Sequence, residues 1–307
     1  MKYSEKQISE LRRLRLSELM RLALEAKLDN RGDQVSLCSI INAKSGKCSE
    51  DCRFCVQSGH YETDTLTYPL KDGQEIIEAA RRAREIGAGH FSLGTSGKGL
   101  PAAEVEKVAV IIEEIRDKVG IRVCASLGIL DENDFMILKQ AGMSRYHHNL
   151  ETSREYFAEV VSTHTFEDRV RTIAAAHKVG LEVCAGGIYG LGESEDDRVS
   201  MAMSLRELAV DSIPLNILIP LPGTPMEKNL QLSMHEILRA VALTRLINPT
   251  VPIRFAAGRE TALTDFLGSA YMAGVDGMMI GGYLTQRGRT PEADLKFIEE
   301  MRRIWSE

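Results

Sequence analysis

The sequence lacks several features that would assign it to a specialised class of protein. No stretch approaches the ~18 consecutive apolar residues that a membrane helix needs. The first 29 residues are charged throughout and have no apolar centre of the kind found in secretion signals. The net charge is −6 and no basic stripe is present, which argues against nucleic-acid binding. We therefore expect a cytoplasmic protein that binds neither membranes nor nucleic acid.

Low-complexity segments and interdomain linkers are also missing. The hydrophobic content of 44% is enough for a sizeable core. Leucines at positions 11, 14, 19, 22 and 28 have helical spacing and predict a helical N-terminal segment. After it, apolar β-branched runs alternate with amphipathic helical patterns. These runs predict eight strands, at residues 35–41, 90–93, 121–126, 145–149, 181–185, 212–218, 252–256 and 277–280.

Eight strand–helix units predict an α/β fold, specifically a (β/α)8 barrel of the TIM type. Glycines placed after helical patterns and before strands agree with this reading, because glycine commonly ends helices; they are Gly87, Gly120, Gly142, Gly180 and Gly274. Such a barrel takes about 250 residues. We therefore expect an N-terminal helical extension at residues 1–30 and the barrel at residues 31–307. Chemistry is expected at the C-terminal ends of the strands.

Three of the six cysteines, Cys48, Cys52 and Cys55, are crowded into eight residues. In a long chain such cysteines are metal ligands more often than disulfide partners. A four-iron cluster usually takes four thiolates, so a run of three leaves one iron open to a small-molecule ligand. A thiolate-bound zinc ion is the alternative. Zinc sites more often use two Cys-x2-Cys pairs, and the sequence has no second pair.

The spacing Cys-x3-Cys-x2-Cys, with Phe54 directly before the last cysteine, resembles the signature of the radical S-adenosylmethionine superfamily. The resemblance implies that Cys48, Cys52 and Cys55 hold a [4Fe–4S] cluster. Its open iron would bind the amino and carboxylate groups of S-adenosylmethionine. One electron from the cluster would then break the sulfonium bond and give a 5′-deoxyadenosyl radical.

Within this superfamily the chain resembles the biotin synthases from residue 34 to its last helix. The segments that carry the resemblance are NAKSGKC at 42–48, HNLETS at 148–153, CAGGIYGLGE at 184–193, DSIPLN at 211–216, PGTP at 222–225 and RFAAGRE at 254–260. The family inserts sulfur, drawn from an auxiliary iron–sulfur cluster, between two unactivated carbons of dethiobiotin. The resemblance implies this same substrate, an electron donor such as flavodoxin or ferredoxin, and a homodimer.

The resemblance also assigns polar side chains to ligands. Asn149 and Asn216 fall on two asparagines that bind the cyclic urea of dethiobiotin, although asparagines at strand ends also cap helices. Glu151 matches the family's acidic residue that contacts the ribose hydroxyls of S-adenosylmethionine. The family has an aspartate there, which is shorter by one methylene. Arg169 matches an arginine that lies near the methionine carboxylate of S-adenosylmethionine. The alternative is that Arg169 is a solvent-exposed residue of a helix. Further matches are Phe54, Gly187 and Ile188 for S-adenosylmethionine, and the backbone of Leu284, Thr285 and Gln286 for the substrate carboxylate.

The residues of the auxiliary cluster depart from the family's pattern. Cys124, Cys184 and Arg254 match three of its four ligands, but Ser92 stands where the remaining cysteine is expected. Serine is a poor substitute, because soft thiolates suit iron–sulfur clusters. Cys38 in turn stands where the family has a serine near the cluster. We hypothesise that Cys38, Cys124 and Cys184 hold an auxiliary [2Fe–2S] or four-iron cluster, with Arg254 beside it or as fourth ligand.

A second departure is His147, which replaces an asparagine near the substrate and either changes urea recognition or is an ordinary strand histidine. Three functions stay open. The first is a biotin synthase with a rearranged auxiliary site, and the second is a lipoyl-type sulfur inserter or a methylornithine-synthase-like mutase. The third is a non-catalytic iron–sulfur or zinc protein. A mutase would not need the three separate cysteines, and a non-catalytic protein would not explain Arg169.

Overall fold

A computed structural model describes residues 4–285 and 288–306 of the chain. Within these ranges nine strands pair in parallel in one sheet. They are β1 Ser36–Lys44, β2 His90–Thr95, β3 Arg122–Ser126, β4 Met143–His147, β5 Glu182–Cys184, β6 Gly187–Tyr189, β7 Ile213–Ile217, β8 Ile253–Phe255 and β9 Gly277–Met279. Each of the eight predicted runs contains or overlaps one of these strands.

Helices connect the strands and surround the sheet. Their bounds are α1 Glu5–Leu11, α2 Leu16–Arg31, α3 Gly73–Glu85, α4 Ala102–Lys118, α5 Glu132–Ala141, α6 Phe166–Lys178, α7 Glu195–Glu207, α8 Met234–Ile247, α9 Arg259–Ala262, α10 Leu267–Met272 and α11 Pro291–Ser306. Capping boxes set the first turns of α5 to α8, with Asp131, Thr165, Ser194 and Ser233 as N-caps. No described helix combines the length and apolar character that a membrane crossing needs.

The sheet closes into a barrel at β5 and β6, the two strands at the ends of the strand order. These two short strands follow each other in the chain and together take the place of one barrel strand, so nine strands make an eight-stranded barrel. β1 pairs with both β2 and β9, and a bridge between Cys184 and Ser212 joins β5 to the start of β7. β6 continues that pairing with β7. The expected (β/α)8 barrel is confirmed, with α1 and α2 ahead of it. The division of the chain at residue 30 stays a prediction.

Part of the glycine run after β5 forms the short strand β6, which lies outside all eight predicted strands. A side chain at Gly186 would place its Cβ 1.8 Å from the Pro214 carbonyl oxygen. Glycine at this position therefore allows the backbone of the β5–β6 junction to approach β7 closely. The sequence pattern concealed this strand because glycine has a low strand propensity.

The bottom of the barrel is held by a carboxylate that is fully buried. Asp276 accepts a hydrogen bond from the backbone of Ile253 at 2.7 Å and lies 3.1 Å from the Arg245 guanidinium. It also accepts a hydrogen bond from Arg31 of α2 at 2.8 Å. Arg245 and Asp276 are both 0% exposed, so each needs the charge of the other. This network joins α2, α8 and the strands β8 and β9.

Removing this carboxylate tests how strongly the barrel depends on it. Asp276→Ala leaves Arg245 buried without its counter-charge, so we expect the free energy of unfolding to fall by about 3–5 kcal/mol. Urea denaturation measures the change. Glu299→Ala is the control, because it removes an exposed partner of Arg303 and is expected to cost less than about 1 kcal/mol. Equal effects of the two variants would contradict this account.

Candidate active site

The barrel encloses a cavity of about 330 Å³ that reaches from the loop after β1 down between the strands. Alternate residues of each strand face it, as the period of two requires. On β2, for example, His90 and Ser92 line the cavity, whereas Phe91 and Leu93 pack into the surrounding apolar core. Two groups of cysteines contact this cavity. Cys55 of the upper group lines it at the loop after β1, and Cys38, Cys124 and Cys184 of the lower group line it between the strands.

The upper group of thiols lies in the loop that follows β1, at the C-terminal end of the strands. Hydrogen bonds between Cys48 and Gln57 (2.9 Å) and between Gly59 and Cys48 (2.7 Å) fold this loop onto itself. Asp51 anchors it to the segment after β4, where the backbone of Ser162 donates to its carboxylate at 2.9 Å. Although burial opposes the shift, hydrogen bonds from Ser162 and Thr163 lower the pKa of Asp51 to about 2. The anchor therefore stays ionised.

The three thiols of the loop influence one another. Burial, with a smaller contribution from the neighbouring Cys48, raises the pKa of Cys55 to about 11. Burial likewise raises the pKa of Cys52 well above its ordinary value, and Arg169 only partly opposes this. Thiols of this kind carry protons until a metal displaces them.

The donor set fits a [4Fe–4S] cluster with one open iron. In the part of the chain that the structure describes, no three histidine, cysteine or carboxylate side chains converge as they would around a single metal ion. The fit therefore rests on the donors themselves, which are three thiols on one loop beside a cavity. Phe54 lines the same cavity, as does its sequence neighbour Cys55.

Asn149, Glu151 and Arg169 form one polar cluster beside the upper thiols. Asn149 donates to the Glu151 carboxylate at 3.2 Å, and Arg169 donates to the Asn149 carbonyl at 2.9 Å. Arg169 lies 3.7 Å from Glu151. Its Nε is buried and has no hydrogen-bond partner among the described residues. A guanidinium with a spare buried donor is suited to a carboxylate ligand.

Gly187 and Ile188 lie against this cluster. The Ile188 backbone donates to the Glu151 carbonyl at 2.9 Å, and a Cβ at Gly187 would lie 2.5 Å from that same oxygen. Glu151 has φ of 70°, in the left-handed region that non-glycine residues seldom adopt. Asn216 reaches the same level from β7, accepting from the Ala257 backbone at 3.0 Å and donating to Gly187 at 3.3 Å.

The lower group consists of Cys38 on β1, Cys124 on β3 and Cys184 on β5, all of which line the cavity and are at most 6% exposed. Burial, followed by the neighbouring Cys184, raises the pKa of Cys124 to about 12, and a hydrogen bond with Ser92 lowers it in part. Ser92 therefore lies beside the three thiols and contacts Cys124 through its hydroxyl group. The structure brings together the three cysteines that the sequence left far apart.

Arg254 of β8 lies among these thiols and is 3% exposed. Burial works to lower its pKa, but the sulfurs of Cys38 and Cys184 raise it above its ordinary value. The guanidinium donates to the Ser212 hydroxyl, while its Nε lacks a partner within residues 4–285 and 288–306. Three thiols around a fixed positive charge fit an anionic, thiolate-bound cluster.

The other predicted residues also face the cavity. His147 and Thr285 line it, and burial lowers the pKa of His147 to about 4, which leaves its imidazole neutral. Gln286 lies outside the described residues. The sequence interpretation missed His90 and Arg145, which line the same cavity. Strand alternation predicts that both face the cavity, because His90 lies two residues from Ser92 and Arg145 lies two residues from His147.

Comparisons with known proteins identify the family of the chain. The chain matches the family model of the radical SAM superfamily over residues 43–205 and that of the biotin and thiamin synthesis associated domain over residues 214–302. A biotin synthase from Pelotomaculum thermopropionicum is 48% identical over 94% of this chain and 90% of its own length. The chain belongs to the biotin synthase family. A biotin synthase from Thermotoga petrophila is 46% identical over 94% of this chain and 96% of its own length.

Solved structures resemble the fold of this biotin synthase family member at much lower identity. A methylornithine synthase superposes with a TM-score of 0.83 at 18% identity, covering 98% of this chain and 93% of its own. An FeFe-hydrogenase maturase from Carboxydothermus hydrogenoformans gives a TM-score of 0.79 at 18% identity, covering 96% and 76%. At these identities the likeness shows the shared fold.

Two arginines of α6 offer a matched test of the upper site. Arg169 is buried beside Glu151, whereas Arg171 is exposed and pairs with Asp168. We expect Arg169→Ala to weaken S-adenosylmethionine binding about tenfold or more, because a charged hydrogen bond to a carboxylate contributes about 1.5–3 kcal/mol. Arg171→Ala should bind normally. Equilibrium binding to the anaerobic, iron-loaded protein measures this, and equal affinities would exclude Arg169 as a ligand of the carboxylate.

Proposed function

We propose that this chain is a biotin synthase, which inserts sulfur into dethiobiotin to give biotin and consumes S-adenosylmethionine. The observation that carries the proposal is the placement of two separate thiol sets along one cavity. Cys55 of the loop triad meets the cavity at the C-terminal end of the strands, and Cys38, Cys124 and Cys184 meet it inside the barrel. A radical-generating site and a sulfur-donating site need such an arrangement, with the substrate between them.

The two iron–sulfur groups would, when bound, supply the electron that cleaves S-adenosylmethionine and the sulfur that enters the product. Cys48, Cys52 and Cys55 would hold the first. Arg169 would bind the carboxylate of S-adenosylmethionine through its spare Nε, and Glu151 would accept hydrogen bonds from its ribose hydroxyls. Holding these groups in fixed positions lowers the entropy cost of the reaction.

Dethiobiotin would occupy the space between the two thiol sets. Asn149 and Asn216 both line that space and present amide groups, which can each donate and accept. The neutral imidazole of His147 can do the same beside them. Apolar side chains such as Ile188, Leu218 and Met279 complete the wall and keep water from the reactive centre. The backbone at Leu284 and Thr285 would receive the carboxylate tail.

The other functions considered have weaker support. The relatives at 46–48% identity are named biotin synthases, whereas the methylornithine synthase is 18% identical and shares the fold. A mutase or a non-catalytic protein also gives no reason for three buried cysteines around Arg254. Sulfur insertion does give a reason for these cysteines, because it needs a sulfur source inside the barrel.

For the auxiliary cluster we propose Cys38, Cys124 and Cys184 as protein ligands, with Arg254 beside it. Ser92 hydrogen-bonds to Cys124, and Cys38 is on the neighbouring strand β1. The exchange of serine and cysteine between these two strands therefore keeps three thiols at the same end of the cavity. Both a [2Fe–2S] and a four-iron cluster are compatible with this donor set.

We further propose an acidic electron donor such as flavodoxin or ferredoxin. Lys47 and Arg53 are exposed on the triad loop, and Lys98 donates to the Thr163 carbonyl beside that loop. A positive rim of this kind favours an acidic partner. A homodimer is proposed from the family resemblance. A cytoplasmic location is proposed because all six cysteines are free and reducing conditions keep them so.

The exchange of serine and cysteine gives a direct test of the auxiliary ligands. Cys38→Ser should lose the iron and sulfide of the auxiliary cluster while keeping the triad cluster, because serine is a poor iron ligand. Adding Ser92→Cys to that variant should restore the lost iron. Iron and sulfide analysis with electron paramagnetic resonance (EPR) measures both. Full retention of both clusters in Cys38→Ser would contradict the assignment.

Anaerobic turnover tests the function. With S-adenosylmethionine, a reductant and dethiobiotin, we expect biotin together with methionine and 5′-deoxyadenosine. Cys52→Ala should abolish all three products, because the triad then holds no complete cluster. Asn216→Ala should raise the KM for dethiobiotin while S-adenosylmethionine is still cleaved. Cleavage that never yields biotin in the parent protein would point to another substrate.

A further inference from the structure

A buried ion-pair network joins the C-terminal helix to the segment that follows β9. Its centre is Arg259, the first residue of α9, which is 1% exposed. The Nη1 and Nη2 atoms of Arg259 donate to the carboxylate of Asp294 on α11 at 3.0 and 2.6 Å. Its Nε donates to the Tyr283 hydroxyl at 3.0 Å. One guanidinium therefore holds α11 and the segment after β9 in a fixed relation.

The neighbouring carboxylate, Glu260, holds the same segment at a second point. The Tyr283 hydroxyl donates to Glu260 at 2.6 Å, and the backbone of Arg289 donates to the same oxygen at 3.4 Å. Burial raises the pKa of Tyr283 well above its ordinary value, although Arg259 opposes this, so the phenol keeps the proton that it donates. Tyr283 and Arg289 thus meet at one carboxylate oxygen.

The segment held in this way reaches the cavity. Tyr283, Leu284 and Thr285 all line it. Leu284 extends across to the C-terminal end of β2, where a Cβ on Gly94 would lie 2.7 Å from the Cδ2 atom of Leu284. Glycine at this position leaves the space that the leucine occupies. The network therefore sets where the backbone of this segment lies against the cavity.

The charges of the network cancel, and this limits how the segment can hold an anion. Arg259 lies 3.2 Å from Glu260 in addition to its contact with Asp294, and Arg289 lies 3.6 Å from Asp294. Two positive and two negative side chains leave the network without a net charge to attract a carboxylate. A carboxylate bound at this segment would rely on backbone N–H groups. Their direction depends on where the chain is held.

We infer that Arg259, Glu260 and Asp294 are positioning residues for the substrate tail. Through Tyr283 they hold the backbone at Leu284 and Thr285 so that its N–H groups receive the carboxylate of dethiobiotin. The inference rests on the proposed function. It makes α11, none of whose described residues lines the cavity, a determinant of substrate affinity.

Removing the Tyr283 hydroxyl tests this with a small change. In the anaerobic, iron-loaded full chain with S-adenosylmethionine present, Tyr283→Phe should weaken dethiobiotin binding about fivefold, the effect of roughly one ordinary hydrogen bond. An analogue with a methyl group in place of the carboxylate should bind the parent and the variant equally. Equilibrium dialysis measures both affinities.

Tyr271→Phe is the matched control for this variant. Tyr271 also packs against α11, with its ring 5.0 Å from that of Phe297, and its hydroxyl donates to the Gly277 carbonyl at 3.1 Å. It is not among the residues that line the cavity. The control therefore loses the same hydroxyl group beside the same helix, and it should leave both affinities unchanged.

Asp294→Asn tests the part played by α11. It removes a charge that fixes Arg259, so we expect the same selective loss of dethiobiotin affinity. Glu299→Gln is the control on α11, because Glu299 is an exposed partner of Arg303. If Asp294→Asn does not fold, Tyr283→Phe still decides the question, since it keeps every charge of the network.

The comparison of the two ligands separates positioning from a purely structural role. Equal weakening of both ligands in Tyr283→Phe, or weakening of neither, would overturn the inference. A parent protein that binds dethiobiotin no more tightly than the methyl analogue would overturn the carboxylate site at this segment. A parent protein that binds neither ligand would overturn the proposed function, and the inference with it.

Discussion

The guanidinium of Arg254, buried among three thiols, is the constraint on which the centre of this barrel depends. A buried charge is costly unless an opposite charge compensates it. Burial favours the protonated, neutral form of a thiol such as Cys124, so the cysteines alone do not supply that charge well. Thiolates bound to iron would supply this negative charge. The barrel interior is therefore suited to an anionic guest. Arg145 lines the same cavity, but its charge is compensated by Glu182.

This interior has a consequence for stability. In most barrels of this type, layers of branched aliphatic side chains fill the centre. Here the inward positions of β1 to β3 carry Cys38, Ile40, His90, Ser92, Cys124 and Ser126. Ile40 is the one aliphatic side chain among these six, so they contribute little apolar burial around the cavity. Stability must come from the outward faces of the strands, which pack against the helices. It also comes from the barrel bottom, where Lys27 of α2 lies 3.0 Å from the Trp305 ring of α11.

The sequence predicted most of the barrel because each strand is a short apolar run and glycines mark several helix ends. The triad was predictable because its three cysteines are adjacent in sequence. Two features escaped prediction for physical reasons. β6 lies in a glycine run whose strand character comes only from close approach to β7. Strand alternation predicts only that His90 faces the cavity; its position beside Cys38, 52 positions earlier in the chain, follows from the strand register.

Strand β1 connects the two thiol sets and so fixes the distance between them. Cys38 lies near its start, and the strand runs to Lys44 before the triad loop begins. At about 3.3 Å per residue, six residues place the strand's end roughly 20 Å from Cys38. A one-residue slip would turn Cys38 out of the cavity, and a two-residue change would keep it inside but alter the spacing by roughly 7 Å. A substrate bound between the two proposed sites would therefore tie the length of β1 to its own size. An exchange of serine and cysteine between β1 and β2 leaves this spacing unchanged, whereas a change in the length of β1 alters it.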